Sequence, residues 1–137
     1  MEKGIAMETY IAIETPVGVL RGRDAIFVDT IQFPNPFDAA ITGSFNGHLG
    51  SRRIEGMIDY SLTFGGVKGF ELILADLAPD VGKSCFEEVR ESAWLIDFAK
   101  IKDLGDPMPK HYRITSYDHV INVMCKSYEL SINTEIA

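Results

Sequence analysis

The sequence predicts an α+β domain, a mostly antiparallel β-meander that stays an open sheet or closes into a sandwich or half-barrel, covered by one or two helices. Three observations carry this reading. Between Ile54 and Phe64, apolar Ile54, Ile58, Tyr60, Leu62 and Phe64 alternate with Glu55, Asp59, Ser61 and Thr63, the period of a strand with one buried face. After Pro79 the character changes: Ser84-Cys85-Phe86-Glu87 fits a helix capping box, with Phe86, Val89, Ala93 and Trp94 at helical spacing behind it. Tyr117, Val120, Ile121, Met124, Cys125 and Tyr128 then repeat the spacing of one helical face.

Taken in order, Glu8 to Glu14 and Val17 to Arg21 read as short strands parted by the turn signal Thr15-Pro16. Asp24 to Phe33 is a strand that stops at Pro34-Asn35-Pro36, because prolines cannot donate to a central ladder. Phe37 to Phe45 follows, ending at the hairpin dipeptide Asn46-Gly47. The Gly65-Gly66-Val67-Lys68-Gly69 turn predicts a hairpin between 54–64 and Phe70 to Asp76, with Ile58, Tyr60 and Leu62 facing the core. A helix is predicted from Cys85 to about Trp94, leaving Leu95 to Phe98 as helix or strand, and a loop from Leu104 to Pro109. Ser116 is the N-cap expected for a second helix, and Tyr128, Leu130 and Ile132 switch to strand period for a terminal strand. No repeat or linker divides the chain, so residues 1–137 read as a single domain.

Composition narrows the function classes. Apolar residues make up 46% and charged residues 24%, a globular rather than a disordered balance. The first residues carry no basic and apolar signal, and no apolar run is long enough for a bilayer, which predicts a cytoplasmic protein with no membrane partner. Cys85 and Cys125, without a CxxC or a nearby histidine pair, read as free, buried thiols. The net charge of −7 is uneven: residues 71–106 hold nine acids against Lys83, Arg90, Lys100 and Lys102. Phosphate backbones are repelled by such a surface, which argues against nucleic acid and for a basic protein partner.

Chemical motifs are few. His48, His111 and His119 show neither zinc-helix spacing nor HExxH, so no metal and no cofactor is expected. The glycines at 65–69 lack the order of a phosphate loop, and Gly43-Ser44-Phe45 lacks that of a nucleophile elbow. Asp76, Asp80, Asp97, Asp103 and Asp106 include turn residues that need no catalysis to explain them. Trp94 is read as core, and Phe33-Pro34-Asn35-Pro36-Phe37 as a loop stapled to the core or projecting as an interaction tip.

The leading expectation is a non-enzymatic protein-binding domain whose acidic surface, Glu87, Glu88, Glu91, Asp97, Asp103 and Asp106, docks a basic partner. Glu87, Glu88 and Glu91 would share the solvent face of the first helix. By size and charge alone, an immunity-type inhibitor is its most concrete form. The alternative is a small-molecule-binding domain or modest enzyme, with a pocket between sheet and helices using His111, Asp97 and Tyr112. A homo-oligomeric subunit, betrayed by a large exposed apolar patch, is a third.

Overall fold

The computed structural model describes residues 8–78 and 84–133. Among the described residues, nine strands form two antiparallel sheets and there is one α-helix. The strands are β1 (Thr9–Ala12), β2 (Ile26–Asn35), β3 (Asp38–Asn46), β4 (Met57–Gly65), β5 (Gly69–Leu74), β6 (Phe86–Arg90), β7 (Lys110–Thr115), β8 (His119–Cys125) and β9 (Ser127–Ile132); the helix, α1, is Ala93–Ala99. One sheet runs β1-β6-β7-β8-β5 and the other β2-β3-β4-β9. The expected α+β, mainly antiparallel character is present, with meanders in β2-β3-β4 and β6-β7-β8.

A single core takes side chains from both sheets: Ile41 and Phe45 of β3, Tyr60 and Phe64 of β4, Tyr112 and Ile114 of β7, Ile121 and Val123 of β8. The alternation in 57–65 does what its period predicts, burying Ile58, Tyr60, Leu62 and Phe64 while Asp59 and Thr63 face water. Tyr60 stacks on Phe45 at 4.3 Å between centroids and donates its hydroxyl to the Phe27 carbonyl at 3.0 Å, so its polar end is satisfied inside.

The expected hairpin between residues 54–64 and 70–76 does not form. β4 lies between β3 and β9, and β5 pairs with β8 in the other sheet. The glycine-rich segment is a corner at which the chain leaves one sheet for the other, with Gly66 at φ +65°. The return crossing, at Lys126 between β8 and β9, is pinned to it: Lys126 N–H donates to Gly65 O at 3.0 Å and Lys68 N–H to Met124 O at 2.7 Å.

Both predicted helices are strands. Residues 86–90 form β6, and 119–125 form β8, each hydrogen-bonded on both sides. Each carries buried apolar residues on both faces, Phe86 and Val89 in β6 and Ile121 and Met124 in β8, so these fall at positions that also match a helical stripe. The capping chemistry survives in other settings. Ser84 N–H donates to the Glu87 carboxylate at 3.1 Å ahead of a strand, and the Ser116 hydroxyl accepts from His119 N–H at 3.0 Å in the β7–β8 turn. The helix begins later, where the Ser92 hydroxyl accepts from Leu95 N–H at 3.2 Å. Pro34 sits within β2, an edge strand, and Asn46 caps a single 3-10 turn, Gly47–Leu49, rather than a two-residue hairpin.

Candidate functional site

The six acids expected to dock a partner do not share a face. Successive residues of a strand point to opposite sides, so Glu87 and Glu88 diverge. Glu87 is only 2% exposed and accepts from the Arg113 guanidinium at 2.7 Å, which removes it from any docking surface. Glu88, half-buried, pairs with Arg90 at 3.4 Å. Glu91 is exposed after the strand at φ +56°, Asp97 lies beside Lys100 on α1, and Asp103 accepts from Gly105 N–H in a turn. Across residues 90–110, Glu91, Asp97, Asp103 and Asp106 are matched in number by Arg90, Lys100, Lys102 and Lys110, so the segment carries no net charge. Asp80 lies outside the described residues.

The alternative trio does not converge either. His111 and Tyr112 are neighbours on β7 and face opposite sides; Tyr112 enters the core, where burial pushes its hydroxyl up to about 12, and Asp97 stands exposed on α1. His111 instead joins a hydrogen-bonded chain on the outer side of the five-stranded sheet. Asn122 donates through Nδ2 to Glu71 at 3.0 Å, which turns its Oδ1 to His111 Nε2 at 2.7 Å and assigns the proton to Nε2. Nδ1 is then free to accept from the Ser92 hydroxyl at 2.8 Å. Burial pulls the imidazole pKa below its ordinary value, against the raising effect of Asn122.

Around this chain the outer face is closed. Trp94 of α1 packs edge-on to His111 at 5.0 Å, and it sits over Gly69, where a Cβ would come within 3.0 Å of the indole. Arg113 lies over the Tyr10 ring at 4.5 Å. Burial alone would raise the Glu8 carboxyl, but hydrogen bonds from Tyr10 and from Ala93 N–H hold it below its usual value. Ser92 and His111 have the atoms of a nucleophile and base, yet both are buried and Ser92 is committed to capping α1. The arrangement clamps α1 to the sheet.

The open surface lies on the opposite edge. β2 pairs only with β3 and β5 only with β8, so each ends its sheet. The two edges run side by side: Phe33 meets Phe70 edge-on at 5.1 Å, Val67 N–H donates to Phe37 O at 2.7 Å, and Tyr117 N–H donates to Ile26 O at 2.9 Å. Leu72 stands opposite Ile121 and so shares the core-facing side of its sheet. That side is left open: Leu72 is 48% and Leu74 56% exposed, on the same face as Phe70, against which Phe33, 58% exposed, packs. Phe37 and Leu77 extend the strip at either end. The segments bounding it carry Asp24, Asp29, Asp38, Asp76 and Asp118 against Arg23 and Lys68, a net −3, with Glu71 turned to the opposite face of its sheet.

Of this strip, the Phe33–Phe37 tip is visible in the sequence as paired aromatics bracketing prolines. Leu72 and Leu74 give no signal, because they belong to a well-patterned strand and their exposure follows from how the edges of the two sheets meet. Comparison with protein-family models, with curated proteins and with solved structures yields no match.

Proposed function

We propose that the chain is a protein-binding domain that docks a basic partner over the seam between β2 and β5. The observation that carries this reading is the strip of Phe33, Leu72 and Leu74, side chains exposed at an uncovered edge of the core and rimmed by acids. Apolar centres with polar rims are the anatomy of protein interfaces, and a rim of net −3 favours a cationic partner and speeds its approach. Two copies of the chain meeting through this strip would bring two such rims together, which disfavours self-association. The buried, hydrogen-bonded state of His111 weighs against an enzyme, since its perturbed titration stands in no open cleft. An immunity-type inhibitor is one member of this class, on size and charge alone.

The test places a photo-crosslinking residue at position 72 and, separately, at Thr63 on the outer face of the other sheet. A partner crosslinked from 72 and not from 63, through a lysine- or arginine-rich surface, is the expected result. Purified, it should bind about tenfold or more weakly to a Leu72→Ser/Leu74→Ser variant, as loss of central apolar contacts implies. Equal crosslinking from 63, or unchanged affinity of the double variant, would overturn the proposal. So would a concentration-dependent homodimer that the double variant abolishes.

A further inference from the structure

The chain is acidic, yet four of its six arginines, Arg21, Arg23, Arg52 and Arg53, fall in two short segments, 21–23 and 52–53. The structure brings these segments together. Val17 to Arg21 runs against Leu49 to Arg52 through the Leu20–Gly50 bridge, Ser51 N–H to Val19 O at 2.9 Å and Arg52 N–H to Val17 O at 3.1 Å. Close approach is built in, because a Cβ on Gly50 would stand 2.2 Å from Val17 O. Two of the guanidiniums are occupied: Arg52 donates to Pro16 O at 2.8 Å and Arg23 lies over the Tyr117 ring at 4.5 Å. Arg21 and Arg53 have no ion pair or hydrogen bond from their side chains among the described residues. Both line one open concavity of about 330 Å³, together with His48, Ser51, Val19 and Leu49.

The Ser51 hydroxyl aims this concavity at an oxyanion. The Ser51 oxygen accepts from Val19 N–H at 2.8 Å, so its own hydrogen remains to be donated. Arg53 holds φ +54°, a conformation that L side chains rarely adopt. We propose that this concavity binds a phosphate group, its oxygens taken by the Arg21 and Arg53 guanidiniums and the Ser51 hydroxyl. Guanidiniums meet such groups with paired donors, and two of them with a hydroxyl can serve the three free oxygens of a phosphomonoester. Val19 and Leu49 offer an apolar wall on which the body of a small phosphomonoester rests. The site is separate from the β2–β5 seam and stands whether or not a protein docks there.

Isothermal titration calorimetry of the whole chain at low salt, with phenyl phosphate and with inorganic phosphate as probes, decides the matter. Saturable binding of phenyl phosphate is expected, weakened about tenfold or more in Arg21→Gln and in Arg53→Gly, since hydrogen bonds to charged groups carry that much. Glycine adopts φ +54° freely, so Arg53→Gly should keep or raise the melting temperature while losing affinity. That split separates ligand binding from a structural role. Tighter binding of phenyl phosphate than of phosphate assigns an organic ester, and equal binding assigns the free ion; either supports the site. No saturable heat with either probe, or affinity untouched by both variants, overturns it. Binding of a single-stranded oligonucleotide without binding of phenyl phosphate overturns it as well.

Discussion

His111 is held neutral by what surrounds it. Burial disfavours its cationic form, and its two nitrogens are spoken for by Ser92 and Asn122, with Trp94 against the ring and Glu71, Glu8 and Arg113 the nearest charges. In an unfolded chain the ring titrates near pH 6.5, whereas in the fold its pKa lies lower. Between those two values the unfolded chain binds more protons, so stability falls as pH drops through about 6.5 and levels off below the folded value. Glu8, lowered in the fold, acts in a separate and more acidic window: its contribution is present above about pH 4.3 and lost below. Urea titrations of the wild type at about pH 7.5 and 5.5 should show this loss, and His111→Gln should flatten it. An equal slope in the variant would mean that another group carries the pH dependence. The Glu87–Arg113 pair has a different role at this scale: it is a buried ion pair, and truncating either partner alone should cost about 3–5 kcal/mol.

At the scale of elements, the contact between β2 and β3 depends on one missing side chain. Gly43 lies beside the bulge between Val28 and Thr30, and a Cβ there would stand 1.9 Å from Phe27 O. The same carbonyl accepts the Tyr60 hydroxyl, so β2, β3 and β4 are drawn together at one point. Gly43→Ala must push β2 outward and break this close approach; it should cost well over the ~1 kcal/mol of an ordinary substitution. Tyr60→Phe, which removes only the hydrogen bond, should cost nearer 1 kcal/mol. Denaturant titration of the two variants gives the order, and a Gly43→Ala loss below about 0.5 kcal/mol would contradict the geometry. β6 and β8 make a related point about elements. A strand with buried apolar residues on both faces shows no clean alternation, so those residues can be fitted to a helix as readily as to a sheet.

At the scale of the whole molecule, Cys85 and Cys125 report on the core that the two sheets share. Both are free and buried; burial pushes their thiols up to about 11 and about 12, and Cys85 also donates to Gly22 O at 3.2 Å. Neither thiolate is formed near neutrality, and neither sulfur is reached without opening the core. Ellman's reagent should therefore label both only as fast as the fold opens, with both reacting at once in denaturant. Fast labelling of either in the native protein would show that its side of the core is open. The exposed strip at the β2–β5 seam belongs to the same scale, since it lies where the edge strands of two different sheets approach each other.

The sequence by itself determined what depends on neighbours a few residues apart. The strand at 57–65 with its buried face, the terminal strand at 127–132, the turn role of Asp103 and the burial of both thiols were all legible in the spacing or type of the residues. The mainly antiparallel α+β class was legible for the same reason. Only the tertiary structure decided which strands pair, because a glycine-rich turn permits both a hairpin and a corner. It alone decided that Glu87 lies inside on Arg113, 26 positions away in the chain, and that residues 86–90 and 119–125 are strands. Buried apolar residues on both faces erased their period, and acids counted along the chain said nothing of the faces they would occupy. The β2–β5 seam and the Arg21–Arg53 concavity are likewise products of long-range contact, assembled from segments whose local patterns are ordinary.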